Sequence, residues 1–216
     1  PKMICFKEWH GMHIQKERTL VGCLLIFIGM ATLVTLSRNF GLLWVAIEAT
    51  TMVTAPLICF THSASSLEAM WKYLLLCSVG IGLALFGTML VAHGIQLGTG
   101  EAEVGLNFSA FARAATAGKV NLGWFKAGFI FILAGYGTKM ELAPFHTWLP
   151  DSYSEAPSPV SALLSGMLAS CAFLAVLRFF AVTPDQLREF GQVLLIALGL
   201  VSLATAAFFI VRQNDY

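Results

Sequence analysis

The sequence predicts an all-α, polytopic membrane helix bundle of about six transmembrane helices, one of them discontinuous. Three observations support this fold. Apolar residues make up 57% of the 216 residues and charged residues only 12%, about half the charged share that is usual for a soluble domain. Six stretches approach the roughly 20 apolar residues that a helix needs to cross the hydrocarbon core. A lysine, a glutamate and prolines interrupt the fourth stretch, which indicates a helix that breaks inside protein or beside a wet cavity.

The predicted spans follow one another with short connections, at about 19–37, 40–61, 73–97, 121–143, 158–178 and 190–211. Ser65 or Ser66 is expected to cap the helix that leads into the third span. Residues 98–120 form an extramembrane linker, and 108–116 (FSAFARAAT) within it suggest a short amphipathic surface helix. Lysines and arginines are nearly balanced between the two sides, so the positive-inside rule does not orient the chain.

Charge and cysteine usage exclude several classes of partner and cofactor. The net charge of +1 and the lack of a dense basic cluster give no sign of a nucleic-acid partner. The five cysteines form no CxxC, and four of them lie in apolar runs, where cysteine behaves as a small buried apolar residue. An iron–sulfur cluster or a nickel site on this chain is therefore not expected. The start at Pro1 suggests a fragment of a longer protein.

Two ionisable residues stand out in the second and third spans. Glu48 sits in the middle of LLWVAIEATTMVTA, and an acid at membrane depth is by default a proton-site hypothesis. The alternative is a structural salt bridge that locks two helices together. Lys72 opens the third span in EAMWKYLLLC. It is expected either to pair with Glu48, where a carboxylate and burial act in opposite directions on its charge, or to extend to the headgroups.

The fourth span carries the densest set of candidates. Lys139 lies well inside the predicted span, where desolvation disfavours the charged form and makes a lysine a usable proton carrier. His146 follows seven residues later and could relay protons near neutral pH, with an interfacial hydrogen bond as the alternative. Asp151 follows Pro150 and is expected to cap the next helical segment. On the fifth span, Ser165 and Ser170 could hold water or bond a preceding carbonyl.

Three motifs carry a resemblance to a known family. They are WVAIEATT around Glu48, SSLEAMWKYLLLCSVGIGLALFGT around Lys72, and GYGTKMELAPFHTWLPDSYSEAPSPVSALLSG around Lys139. The chain resembles the antiporter-like, proton-conducting membrane subunits of respiratory complex I and group 4 hydrogenases. The resemblance is strongest to the hydrogenase-4 component F and formate hydrogenlyase type, and Mrp-type cation/proton antiporter subunits are more distant.

The resemblance implies a role for four residues. Glu48 matches the glutamate of the family's fifth helix, and Lys72 matches its lysine partner on the sixth. Lys139 matches the central lysine of the discontinuous seventh helix, and His146 matches the histidine of the PxHxWLPD segment. These four residues would carry proton translocation.

The resemblance also implies an architecture and a setting. The whole chain, 1–216, would be a single membrane domain, namely the first inverted repeat plus one further helix of a longer subunit. It would have no catalytic site and no cofactor of its own. Iron–sulfur centres, and nickel–iron centres in the hydrogenase case, would lie in a peripheral redox module, with other membrane subunits and the lipid bilayer as further partners. The location would be the bacterial or archaeal cytoplasmic membrane.

Two departures from the family pattern identify possible modulators of the site. The eighth helix of many relatives carries a lysine or histidine, and here Ser170 lies about where it would be expected. Glu141, two residues after Lys139, is unusual, and it is expected to hold the lysine as an ion pair. Two rival functions stay open, namely a structural membrane anchor for a hydrogenase or dehydrogenase module and a cation/proton antiporter subunit.

Overall fold

The computed structural model describes residues 2–101 and 104–212, with side chains from residue 17 onward. It is helical almost throughout. The helices, in chain order, are α1 (Lys2–Leu36), α2 (Phe40–Ile58), α3 (Ala64–Thr99), α4 (Phe108–Thr116), α5 (Leu122–Lys139), α6 (Leu149–Glu155), α7 (Ser158–Leu163), α8 (Ala169–Ala181) and α9 (Asp185–Arg212). A π-helical turn, Leu164–Leu168, joins α7 to α8 into one continuous rod.

Five described segments are long and apolar enough to cross a membrane, and they confirm the predicted helical membrane bundle. They are Glu17–Leu36, Phe40–Ile58, Ala64–Thr99, Ser158–Ala181 and Asp185–Arg212. The fourth predicted span differs. Its helix, α5, ends at Lys139 and not near residue 143. Its lysines and glycines also make it less apolar than the other five.

Helix α5 nevertheless packs closely against α3, and it also contacts α8 and α9. Glycines make this close approach possible. A Cβ on Gly87 of α3 would lie 2.6 Å from the carbonyl oxygen of Gly128 on α5, and a Cβ on Gly135 would lie 2.5 Å from the Ala84 nitrogen. Small residues at such crossings let two backbones meet in a membrane, where packing rather than the hydrophobic effect holds helices together.

The linker is tied to one end of the bundle. The helix predicted at 108–116 is present as α4, with Phe111 and Ala114 buried against the bundle. Asn39, between α1 and α2, bridges to Asn107, and the Asn39 amide donates to the Asn107 side-chain oxygen at 3.1 Å. The linker therefore closes over the ends of α2 and α8 in place of projecting freely.

Two details of the helix ends differ from the expectations. Helix α3 begins at Ala64, well before the predicted span, and Ser63 is its cap, with its hydroxyl accepting from the Ser66 amide at 3.0 Å. Helix α6 begins after Trp148, so Asp151 lies in its first turn and does not cap it.

Helix α9 is mostly exposed, and among its residues Leu187 and Gly191 are buried.

Candidate functional site

The site is built around the end of α5. Met140 makes the last helical hydrogen bond, to the Tyr136 carbonyl at 2.9 Å. Glu141 then adopts a left-handed backbone conformation with φ of 62°, and Pro144 follows. A left-handed residue interrupts a right-handed α-helix, and a proline three residues later cannot donate a helical hydrogen bond. The chain therefore turns at the level of Lys139 and forms a helix again only at α6, which is the predicted discontinuity.

The break leaves backbone carbonyls of α5 without helical partners, and a buried side chain satisfies one of them. The indole nitrogen of Trp148 donates to the Thr138 carbonyl oxygen at 3.1 Å. Trp148 is fully buried and packs against Tyr73, with ring centroids 5.0 Å apart. Because a membrane interior offers no water to such groups, Trp148 makes the helix end tolerable at this depth.

Lys139 is completely buried at the break. Its ammonium nitrogen donates a hydrogen bond to the Thr51 hydroxyl of α2. The same nitrogen lies 3.9 Å from Oε2 of Glu48, which is also on α2. The Glu48 side chain is only 17% exposed. The structure thus brings two predicted site residues together, and it places an ionisable pair inside the bundle.

Glu48 is held asymmetrically. Its Oε1 accepts from the Ser78 hydroxyl of α3 at 3.1 Å, while its buried Oε2, which faces Lys139, has no hydrogen-bond partner among the described residues. A separation of 3.9 Å is too long for a hydrogen bond. The two charges therefore interact across a short gap and are not locked in a hydrogen-bonded salt bridge.

A run of hydroxyl groups leads away from Lys139. The Tyr73 hydroxyl lies 2.7 Å from the Thr54 hydroxyl and also interacts with the Thr51 side chain, which accepts from Lys139. Thr54 in turn donates to the Thr50 carbonyl at 2.9 Å. If each hydroxyl donates onward, the dipoles point away from the ammonium and stabilise its charge.

Lys72 does not pair with Glu48, contrary to the expectation. Its ammonium nitrogen lies 2.7 Å from Asp151 on α6 and 2.7 Å from Glu68 one turn earlier. The reason is helical geometry, since the inward stripe of α3 runs through Tyr73 and Cys77, and Lys72 sits about 100° away from it. Lys72 therefore belongs to a half-exposed ionic cluster at the end of the bundle.

Glu141 does not pair with Lys139 either. Its carboxylate accepts a hydrogen bond from the Tyr153 hydroxyl, because the left-handed turn directs the side chain toward α6. Ser165 also interacts with the Tyr153 hydroxyl, and its own hydroxyl donates to the Ala162 carbonyl at 3.2 Å. Glu141 and Ser165 are thus connected through Tyr153, at one side of the break.

His146 lies away from Lys139, on the face of the break that meets α9. It lines a cavity of about 580 Å³ together with Glu141, Ser202 and Arg212, and its ring centroid is 6.4 Å from that of Phe209. Its buried Nδ1 has no hydrogen-bond partner among the described residues. The Ser202 hydroxyl accepts from the Ala143 amide at 2.9 Å, so α9 contacts the break directly.

Ser170 lies outside this arrangement. It is exposed on α8, and its hydroxyl donates to the carbonyl of Gly166 in the π-helical turn at 2.5 Å. Five contributors were not predicted, namely Thr51, Thr54, Tyr73, Ser78 and Trp148. Thr51 lies three residues after Glu48 and Thr54 three residues after Thr51, and this spacing is a signal that could have placed each beside the one before it on α2.

The fold and the site together define an integral membrane protein of the antiporter-like class, with a buried lysine–glutamate pair at a helix break. The NADH:quinone oxidoreductase/Mrp antiporter transmembrane family matches residues 37–216, and the chain belongs to that family. The expected resemblance is therefore confirmed.

Individual relatives agree with this membership. The hydrogenase-4 component F homolog of Methylacidiphilum infernorum is 42% identical over 185 residues, covering 83% of this chain and 37% of that protein. An archaeal membrane-bound sulfane sulfur reductase complex contains a chain with a TM-score of 0.69 and 26% identity, covering 82% of this chain and 34% of that one. A chain of respiratory complex I from Thermus thermophilus has a TM-score of 0.71 at 24% identity, covering 90% and 39%, which shows a shared fold. This chain thus spans little more than a third of the length of these relatives.

Proposed function

We propose that this chain is part of a proton-translocating membrane subunit of a redox-driven respiratory complex, of the group 4 hydrogenase or complex I type. Family membership and the hydrogenase-4 component F relative support the class of complex. The main observation in favour of proton translocation is the position of Lys139. It is fully buried at a helix break, and its ammonium nitrogen lies 3.9 Å from a carboxylate oxygen of Glu48. A static anchor has no need of such a pair, which is costly to bury.

The Glu48–Lys139 pair can work as a protonation switch. A nearby carboxylate favours the charged lysine, whereas burial disfavours it, so the protonation of Lys139 depends on the charge of Glu48. When Glu48 is ionised, Lys139 holds a proton and donates to Thr51. When Glu48 takes up a proton and becomes neutral, burial is the stronger of the two effects on Lys139, and Lys139 releases its own proton. The partner of Glu48 in this switch is Lys139 itself, and Lys72 takes no direct part in it.

His146 and the cavity beside α9 supply a second polar position. His146 and Glu141 line the same cavity, and the buried Nδ1 of His146 has no hydrogen-bond partner among the described residues. A proton released at the break could be received there, with Ser165 and Tyr153 holding the Glu141 carboxylate in place. Lys72, Asp151 and Glu68 would form the polar surface through which protons reach the end of the bundle. Ser170 faces away from both positions.

The wider setting is also a proposal. The 37% share of the hydrogenase-4 component F homolog that this chain covers supports a first inverted repeat plus one further helix of a longer subunit. We place no catalytic site or cofactor on this chain. Iron–sulfur and nickel–iron centres would lie in a peripheral redox module, other membrane subunits would flank this one, and the complex would lie in the bacterial or archaeal cytoplasmic membrane.

The test is redox-driven acidification of vesicles that contain the native complex, measured per electron passed. Lys139→Ala is expected to abolish the share of acidification that this subunit contributes, because it removes the buried group that would hold and release the proton. Lys126→Ala is the matched control, since Lys126 is an exposed lysine on the same helix and should pump normally.

Assembly and electron transfer are measured on the same samples. If Lys139→Ala assembles, passes electrons and still acidifies the vesicles as the native complex does, the chain is a membrane anchor and the proposal is wrong. Repeating the same assay with and without sodium ions distinguishes a cation/proton antiporter, whose proton movement would depend on sodium.

A further inference from the structure

A second polar region lies at the opposite end of the bundle from the Lys72 cluster. A cavity of about 900 Å³ opens where α1 meets α2, α4 begins and α8 ends. The membrane-spanning segments stop at Leu36 and Ala181, both of which line the cavity. The cavity therefore sits at headgroup depth, and no residue of the Glu48–Lys139 site contributes to its wall.

One arginine of this cavity is fixed in position. The Arg178 guanidinium donates to the carbonyl oxygens of Val34 at 2.9 Å, Ser37 at 2.9 Å and Thr35 at 2.6 Å, and it lies 5.1 Å from the Phe108 ring centroid. It thereby caps the last turn of α1, where unpaired carbonyls accumulate. These hydrogen bonds hold the Arg178 charge at the cavity wall.

The other arginine is free to reach a ligand. Arg38 is exposed at the start of the α1–α2 turn and lines the same cavity. Within the described part of the chain, no carboxylate lies within 4.0 Å of either Arg38 or Arg178. Two positive charges thus face one cavity, with the hydroxyl of Ser109 at its edge.

An apolar track continues from the cavity into the membrane. Leu36 lines the cavity and is 72% exposed, and below it Ile28 and Leu25 are 44% and 64% exposed. The spacing of these three residues places them on one face of α1. A ligand with an anionic head and an aliphatic tail would satisfy both the arginines and this track.

We infer that the cavity at Arg38 and Arg178 binds an anionic phospholipid. The phosphate group lies between the two arginines, as basic pockets between membrane helices accept acidic headgroups, and one acyl chain follows the exposed face of α1. The bound lipid covers the junction of α1, α2, α4 and α8. Lipid binding would be independent of proton transfer, because the cavity shares no residue with the Glu48–Lys139 site.

The test uses the intact complex, stripped of lipid in detergent and then incubated with phosphatidylglycerol or phosphatidylcholine. Native mass spectrometry counts the lipids retained on this subunit. Phosphatidylglycerol is expected to be retained in preference to phosphatidylcholine. Arg38→Gln should weaken phosphatidylglycerol binding about five-fold, the loss expected for one interfacial basic charge, and leave phosphatidylcholine unchanged. Lys119→Gln, an exposed cation at the same end of the bundle, is the matched control and should have no effect.

Three outcomes overturn the inference. Equal retention of the two lipids would show that the cavity does not select a headgroup charge. Equal effects of Arg38→Gln and Lys119→Gln would show only diffuse attraction, as expected if another protein segment fills the cavity. Displacement of phosphatidylglycerol by inorganic phosphate at low millimolar concentration would indicate a small-anion site without a role for the acyl chain.

Discussion

At the scale of single residues, the polar interior depends on which hydroxyl groups have partners. Tyr73 and Tyr136 are both fully buried tyrosines, but only Tyr73 has a hydrogen-bonded hydroxyl, to Thr54 at 2.7 Å. The Tyr136 hydroxyl has no partner among the described residues. Replacing each tyrosine by phenylalanine therefore removes the same hydroxyl group, in one case with a hydrogen-bond partner and in the other without one.

Tyr73→Phe is expected to lower the free energy of unfolding by about 1 kcal/mol, the usual net value of a buried hydrogen bond. It should also reduce acidification per electron, because Lys139 loses part of the hydroxyl run that stabilises its charge. Thermal unfolding of the purified complex and the vesicle assay measure the two effects. Tyr136→Phe should be neutral or slightly stabilising in both. If the two variants pump equally, the hydroxyl run has no part in proton transfer.

The sequence identified which residues are ionisable at membrane depth, but not which of them meet. Glu48 and Lys139 were both predicted as site residues, and the structure places them face to face. The predicted contact between Glu48 and Lys72 was wrong. Lys72 faces Asp151 of α6, whereas Tyr73, one position further along α3, faces inward. Thr51 and Tyr73 were missed because threonine and tyrosine are unremarkable in a span until their neighbours are known.

At the scale of helices, the close pairing of α3 with α5 positions Lys139 opposite α2. Gly87→Ala is expected to destabilise the bundle by about 1–3 kcal/mol, as overpacking does, because the added Cβ would lie 2.6 Å from a backbone oxygen of α5. The measurement is the thermal unfolding midpoint in detergent.

Gly82→Ala is the control for that substitution. Gly82 is on the same helix, and nothing lies within 4 Å of a Cβ placed there, so alanine should stabilise the helix by about 0.5–1 kcal/mol. An unchanged midpoint for Gly87→Ala would mean that α3 and α5 are farther apart than the structure places them.

The positions of the helices were largely predictable, because long apolar runs mark them directly. The break after Lys139 was also predictable, because Pro144 has no N–H to donate to a helical hydrogen bond and its ring clashes with the preceding turn. The end of α5 was placed four residues too late. Glu141 in a left-handed conformation ends the helix. A glutamate in the sequence does not indicate a left-handed residue, whereas a glycine often does.

At the scale of the whole molecule, the two ends of the bundle have different chemistry. Lys72, Asp151 and Glu68 lie at one end, where Ser63 also donates to Glu155 at 3.4 Å. The two arginines of the proposed lipid cavity lie at the other end. This division requires α5 to cross the membrane even though its composition is less apolar than that of the five other spans.

Cysteine labelling tests that crossing. Lys119→Cys, before α5, and Ser154→Cys, after it, are expected to react with a membrane-impermeant maleimide from opposite sides of sealed vesicles. Ser63→Cys should label from the same side as Ser154→Cys, since Ser63 contacts Glu155. Labelling of the Lys119 and Ser154 variants from one side would mean that α5 does not span the membrane.

The central claim is that the Glu48–Lys139 pair changes its protonation during turnover and is not a fixed ion pair. Redox-triggered infrared difference spectroscopy of the native complex, compared with Glu48→Gln, measures this directly. If the pair changes its protonation, a carboxyl signal appears during turnover of the native complex and is missing from Glu48→Gln, together with loss of acidification per electron in that variant. Identical difference spectra for the two proteins, with acidification retained, would show that the pair does not titrate and is a structural link between α2 and α5.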